Sequence, residues 1–263
     1  MQEFDALQSV GDPAMIAATV FACVFGGALL GMFLGSILPE HHVGPETRDA
    51  IKVSMAMVAT LAALVLGLLT ASAKGSLDDK ETALRSTAGR IVLLDRTLAA
   101  YGPETQEARA LLKQTLIARI GQIWPEEDAE VRLGALGEGG GIEAVQMAVL
   151  RLSPKDDAEH WLQSRALDIA GTIATSRWLA FEQVGSSIQW IFLAIVVFWL
   201  GVVFMSFGLF APRNAVVMLA LLVAALSVAG AIYLILEMDQ PYEGAIKLPS
   251  APLRAALEQL GRS

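Results

Sequence analysis

A single cysteine, Cys23, and three histidines, His41, His42 and His160, are all that this 263-residue chain offers to thiol or imidazole chemistry. One cysteine excludes an internal disulfide framework and a thiolate metal cluster. Basic clusters are missing too. The chain has 19 Lys and Arg against 27 Asp and Glu, a net charge of -8. With no basic stripe there is no source for the counterion release that drives phosphate binding, so nucleic acid is excluded as a partner. No nucleophile elbow, Walker loop or dinucleotide fingerprint occurs, so neither an enzyme nor a cofactor is expected. Charge of either sign is scarce, at 17% of residues, against about 25% in an average soluble domain.

What the chain has instead is apolar length: 54% of its residues are hydrophobic. Four runs, Ala14–Leu38, Val53–Ala73, Ile188–Phe210 and Ala215–Leu236, hold no Asp, Glu, Lys, Arg or His. Each is long enough to cross a hydrocarbon core of about 30 Å, which takes about 20 helical residues. Pro39, Pro45, Pro212 and Pro241 stand just outside their ends, where a helix-breaking residue does least harm. The leading MQEFDALQSVGDP has no Lys or Arg, so the first run is expected to stay as an anchor and not to be cleaved as a signal peptide. Spans without acids, histidines or arginines also argue against a proton-coupled transporter.

The fold class expected is an all-α integral membrane protein with four transmembrane helices and a helical cytoplasmic region inserted between spans 2 and 3. Residues 1–74 hold the first two spans, 75–185 the cytoplasmic region, 186–240 the last two spans and 241–263 a cytoplasmic C-terminal tail. Orientation follows the basic residues. Arg48, Lys52 and Arg213 mark one side, whereas Lys74, Lys80, Arg85, Arg90, Arg165, Arg177, Lys247 and Arg254 mark the other. That excess places both termini in the cytoplasm.

In the middle region Leu77, Leu84, Ile91 and Leu98 recur every seven residues and predict a helix with one apolar seam, its start capped by Ser76 and Asp79. Gly102-Pro103 breaks the chain before a second helix with Ala108, Leu112, Leu116, Ile120 and Ile123 on one face. GALGEGGG, residues 134–141, reads as a loop, and a short helix follows. Ser153-Pro154-Lys155-Asp156 predicts the start of a last helix whose buried stripe is Leu162, Ala166, Ile169 and Ile173.

Four sets of residues are candidates for function. His41 and His42, beside Glu40, Glu46 and Asp49, are a candidate zinc pair; their spacing matches no four-ligand pattern, and a plain polar turn is the simpler reading. Gly27, Gly31 and Gly35 recur every four residues and predict a close helix approach, within one subunit or between subunits. On the second span Ser54, Val58, Leu61, Val65, Leu68 and Ser72 follow helical spacing. A ring of such helices would form an apolar constriction that gates by dewetting, while ordinary helix packing explains the same stripe. After the fourth span Glu237, Asp239 and Glu243 surround Pro241 and Gly244 at the level of Lys74 and Arg177, which predicts a collar of interfacial ion pairs.

The stretches LPEHH, ATLAALVLGLLTASAK, VLLDRTLAAYGPE, FWLGVVFMSFGLFAPRNA and GAIYLILEMDQPYEGAIKLPSAPLRAAL, in this order along nearly the whole chain, are similar to the bacterial bestrophin-like membrane family. True bestrophins are oligomeric anion channels whose second span lines a hydrophobic neck. The resemblance implies a homo-oligomer in the lipid bilayer of the bacterial inner membrane, with a small anion such as chloride as its permeant partner. It makes Leu61, Val65 and Leu68 candidate neck residues and Glu237, Asp239 and Glu243 candidate gating or cation contacts. Three carboxylates alone fall short of the oxygen shell calcium takes. The rival expectation is a non-conducting scaffold or sensor whose cytoplasmic helices recruit partners through the Leu77 to Leu98 seam.

Overall fold

The computed structural model describes residues 12–37, 45–124, 141–182, 190–239 and 246–260; side chains at 45, 46, 176–182 and 190 fall outside that description. The described residues are helical and contain no strand. In chain order the helices are α1 (Pro13–Ile37), α2 (Pro45–Tyr101), α3 (Gln106–Ile123), α4 (Gly141–Leu150), α5 (Asp157–Glu182), α6 (Trp190–Phe210), α7 (Ala215–Asp239) and α8 (Ala251–Gln259), with a 3-10 turn at Pro103–Thr105 before α3. Among them α1, α2, α6 and α7 are long and apolar enough to cross a membrane.

Two units share the chain: Met1–Leu77 with Ser186–Ile246, and Asp78–Gly185 with Lys247–Ser263. In the first unit α1 lies along α6. Its core holds Val20, Val24 and Ala28 of α1, Leu193 and Phe204 of α6, and Leu221, Ala225, Ile232 and Ile235 of α7. The glycines of α1 set the approach. A β-carbon on Gly27 would stand 2.7 Å from the Gly201 carbonyl oxygen and one on Gly35 2.7 Å from that of Leu209, while one on Gly31 would collide with the Met205 carbonyl. Gly208 of α6 returns the favour, since a β-carbon there would collide with the Ala28 carbonyl. Helices without side-chain bulk at their contact approach backbone to backbone, which is how membrane helices gain packing without a hydrophobic driving force. Arg213, in the turn after α6, adds a polar tie by donating to the Met32 carbonyl at 3.0 Å.

In the second unit the core is built by Ile91, Leu94 and Leu98 of α2, Leu112, Leu116 and Ile120 of α3, Val145 and Val149 of α4, Ala166, Ile169 and Ala170 of α5, and Leu253 and Ala256 of α8. Of the stripes predicted for α3 and α5, Ala108, Leu112, Leu116, Ile120, Ala166, Ile169 and Ile173 are buried, while Ile123 and Leu162 are half-buried. Buried Trp124 donates its indole N–H to the Leu248 carbonyl at 2.9 Å, fastening the returning chain beside that core. Residues 247–260 are thereby part of this folded unit.

Two predicted helix starts differ from those observed. Ser76 and Asp79 cap nothing, because α2 runs unbroken from Pro45 to Tyr101. Helix propagation costs far less than nucleation, so a capping sequence without a proline does not interrupt a helix already formed on both sides. The start of α5 lies at Asp157, with Pro154 outside the helix. Asp156 is the cap: its Oδ1 accepts the Glu159 N–H at 2.8 Å, and Glu159 Oε2 accepts the Lys155 N–H at 2.8 Å.

Candidate functional site

The apolar part of α2 is the span least covered by its own chain. Only 6% of its most apolar window is buried, against 28% in α1, 33% in α6 and 17% in α7. Ala62, buried at 1% exposure, and Ala73 lie on its inward side, joined by Leu66 and Leu69 against the core of the first unit. At about 100° per residue these four side chains span an arc of about 60°. Met57, Leu61, Leu64 and Leu68 occupy a second arc of similar width, and all four are exposed. Val65 sits between the arcs and is half-buried. The structure thus brings Leu61 and Leu68 together on an uncovered face and adds Met57 and Leu64, which the predicted stripe left out.

The side chains on that arc are all apolar. Ser54, Thr60 and Thr70 donate their hydroxyls to the carbonyls of Ala50, Ala56 and Leu66, one turn back along the same helix. A solute beside α2 therefore meets aliphatic groups, and a narrow ring of them repels water more strongly than it binds ions.

At the other end of interest, α7 continues one turn past the predicted Leu236, since nothing breaks it before Pro241. Glu237 and Asp239 therefore lie inside the helix, at 5% and 9% exposure. A buried carboxylate needs donors, and Tyr233 supplies one, its hydroxyl bonding the Glu237 carboxylate from one turn earlier. This partner escaped the sequence reading although the i, i+4 spacing in YLILE displays it. Asp12, whose carboxylate accepts the Ala14 N–H at 2.9 Å and so starts α1, lies within electrostatic reach of the same tyrosine. Lys74 is exposed on α2. Glu243, His41, His42 and the Arg177 side chain lie outside the described residues. Among the described residues no three His, Cys, Asp or Glu side chains are grouped to hold a metal.

The second unit holds two polar constellations. Asp95, nearly buried, takes the Arg109 guanidinium in a fork, Nε to Oδ1 at 2.8 Å and Nη2 to Oδ2 at 3.0 Å. That hydrogen bonding raises the Arg109 pKa further. At the surface Lys155 reaches Glu104 at 2.7 Å, beside Tyr101, whose phenol is pushed up by burial and then by Glu159 and Glu104. Neither arrangement places a nucleophile against a base. The first ties α2 to α3, and the second ties the segment before α5 to the 3-10 turn before α3.

A family model for the Bestrophin-like domain matches residues 22–253. Among curated proteins nothing matches. The fold is similar to the crystal structure of a membrane protein carrying a proline-to-alanine substitution, at a TM-score of 0.58 and 13% identity over 90% of this chain and 96% of that one. It is also similar to a bacterial bestrophin homologue from Klebsiella pneumoniae carrying an isoleucine-to-threonine substitution, at a TM-score of 0.55 and 12% identity over 90% and 98% of the two chains.

Proposed function

This chain belongs to the bestrophin-like family, and from that premise we propose that it assembles as a homo-oligomer whose α2 helices surround a path for small anions such as chloride. The observation that carries the proposal is the uncovered face of α2. A span 6% buried within its own chain, apolar on every side, has its remaining contacts with lipid or with other copies. A ring of copies would turn Leu61, Val65 and Leu68 toward the axis as a neck. In that arrangement the protein crosses the bacterial inner membrane four times, the second unit and both termini are cytoplasmic, and Glu237 and Asp239 with Lys74 form a collar below the neck.

Purified protein reconstituted in planar bilayers tests this in symmetric and graded chloride. Leu61→Ser with Leu68→Ser should wet the constriction and raise basal conductance at least several-fold, with a reversal potential that follows the chloride gradient. Wild type and variant both silent across anions, pH and calcium would sink the proposal. The scaffold alternative loses ground on burial. Ile91 and Leu98, two of the four residues in its recruiting seam, are 7% and 1% exposed in the core of their own unit, so they offer no surface to a partner.

A further inference from the structure

We propose that the first unit binds an anionic phospholipid, one acyl chain entering the cavity between the start of α2 and the end of α6 and the phosphate resting on Lys52. The cavity measures about 560 Å³, with Lys52, Met55, Ala56 and Ala59 of α2 on one wall and Ser206, Phe207, Phe210 and Ala211 on the other. Its size falls in the range of small-molecule pockets, about 300–1,000 Å³. The wall residues of α2 follow i, i+3, i+4, i+7 spacing and so share one face. Small Ala56 and Ala59 opposite the rings of Phe207 and Phe210 leave the space open.

Position along the helix selects the ligand. Val53 begins the apolar run and Lys52 is the ionisable residue immediately before it, so the ammonium stands where phospholipid headgroups lie. From Lys52 to Ala59 the wall descends about 10 Å at 1.5 Å per residue, through residues suited to a hydrocarbon tail. At the mouth the Lys52 ammonium meets Asp49 at 3.5 Å, with both side chains largely exposed, at 63% and 76%. Such a pair is screened and weak, so a lipid phosphate can take Asp49's place. An apolar helix from another copy would fill the cavity but bring no anion to the lysine at its mouth. The charge at the mouth favours the lipid. This site goes beyond the channel proposal and does not depend on conduction.

Native mass spectrometry of the full chain released from detergent, after incubation with equal phosphatidylglycerol and phosphatidylcholine, tests the assignment. Wild type should retain phosphatidylglycerol preferentially. Lys52→Gln should lower that retention about fivefold, the worth of one lysine at a charged membrane surface, while leaving phosphatidylcholine unchanged. Ala56→Trp should lose both lipids, and Leu226→Trp, exposed on α7 away from the cavity, should lose neither. Lipid retention by Lys52→Gln and Ala56→Trp equal to wild type overturns the proposal. So does loss of oligomer with lipid retained in Ala56→Trp, which assigns the cavity to a second copy, or capture of inorganic phosphate with no lipid.

Discussion

Asp95 and Arg109 join α2 to α3 where Asp95 is 4% and Arg109 20% exposed at the side chain. Taking one partner from a buried pair is costly because the other charge stays behind in a poor solvent. Arg109→Ala should destabilise the protein by about 3 kcal/mol, the low end for such losses, since Asp95 has further interactions to fall back on. Arg109→Lys should lose less but not nothing, because an ammonium cannot reproduce the two-pronged contact. Thermal unfolding of the purified chain would separate the three. The surface pair of Lys155 and Glu104 makes a pH-dependent counterpart. The Lys155 hydrogen bond holds the Glu104 carboxyl below its ordinary 4.5, and the same bond raises Lys155 above its ordinary 10.5. The carboxylate's contribution is therefore present above 4.5 and lost as pH falls through its lowered value. The lysine's is present below 10.5 and lost as pH rises through its raised one. Both side chains are well exposed, at 45% and 70%, so solvent screens the pair and the effect is small. Melting curves of wild type and Glu104→Gln should differ slightly from pH 6 to 9 and converge in acid. A difference that persists at pH 2 would place the interaction elsewhere.

Helix α1 depends on what its glycines leave out. Gly31→Ala puts a methyl group into the backbone of α6, which no rotamer change relieves. Overpacking of this kind costs about 1–3 kcal/mol, and the variant should melt earlier in detergent. Gly26→Ala, where an added β-carbon meets nothing within 4 Å, should melt with wild type or slightly above it, as alanine is the better helix former. Equal loss in both would mean that helix propensity and not the contact with α6 is being measured. The same elements show how far the sequence could be read. Four apolar runs without a charge left little freedom for α1 and α7, whose starts at Pro13 and Ala215 lie within one residue of the predicted ones. The unbroken length of α2 was hidden by Ser76 and Asp79, which resemble a start signal but cannot stop a helix. The exposed arc of Met57, Leu61, Leu64 and Leu68 was only half visible, because a helix apolar all round carries no periodic contrast to show which side is covered. Trp124 meeting Leu248 was beyond reach: 124 residues separate them, and no local pattern encodes a contact of that span.

For the whole molecule the open question is what Glu237 and Asp239 do, since burial of two acids at the end of α7 is compatible with holding an assembly or with facing a permeating ion. Their surroundings favour the first. Glu237 accepts the Tyr233 hydroxyl from its own helix, both acids are at or below 9% exposure in the chain alone, and Asp239 has a partner of its own. Carboxylates committed to protein donors in this way lock a helix end, and their loss strands the donors they served. Glu237→Gln with Asp239→Asn should therefore shift the proposed assembly toward smaller species, read by multi-angle light scattering, and lower the melting temperature of the purified protein. Tyr233→Phe, which removes only the donor, should move stability in the same direction by a smaller amount, about 1 kcal/mol for one lost hydrogen bond. If the double variant instead keeps its oligomer and melting temperature while its single-channel conductance or anion preference changes, the acids act on the ion path. The Tyr233→Phe result then separates a direct from a relayed effect: a carboxylate freed of its hydroxyl partner would alter conductance as well, whereas one already facing the ion would not.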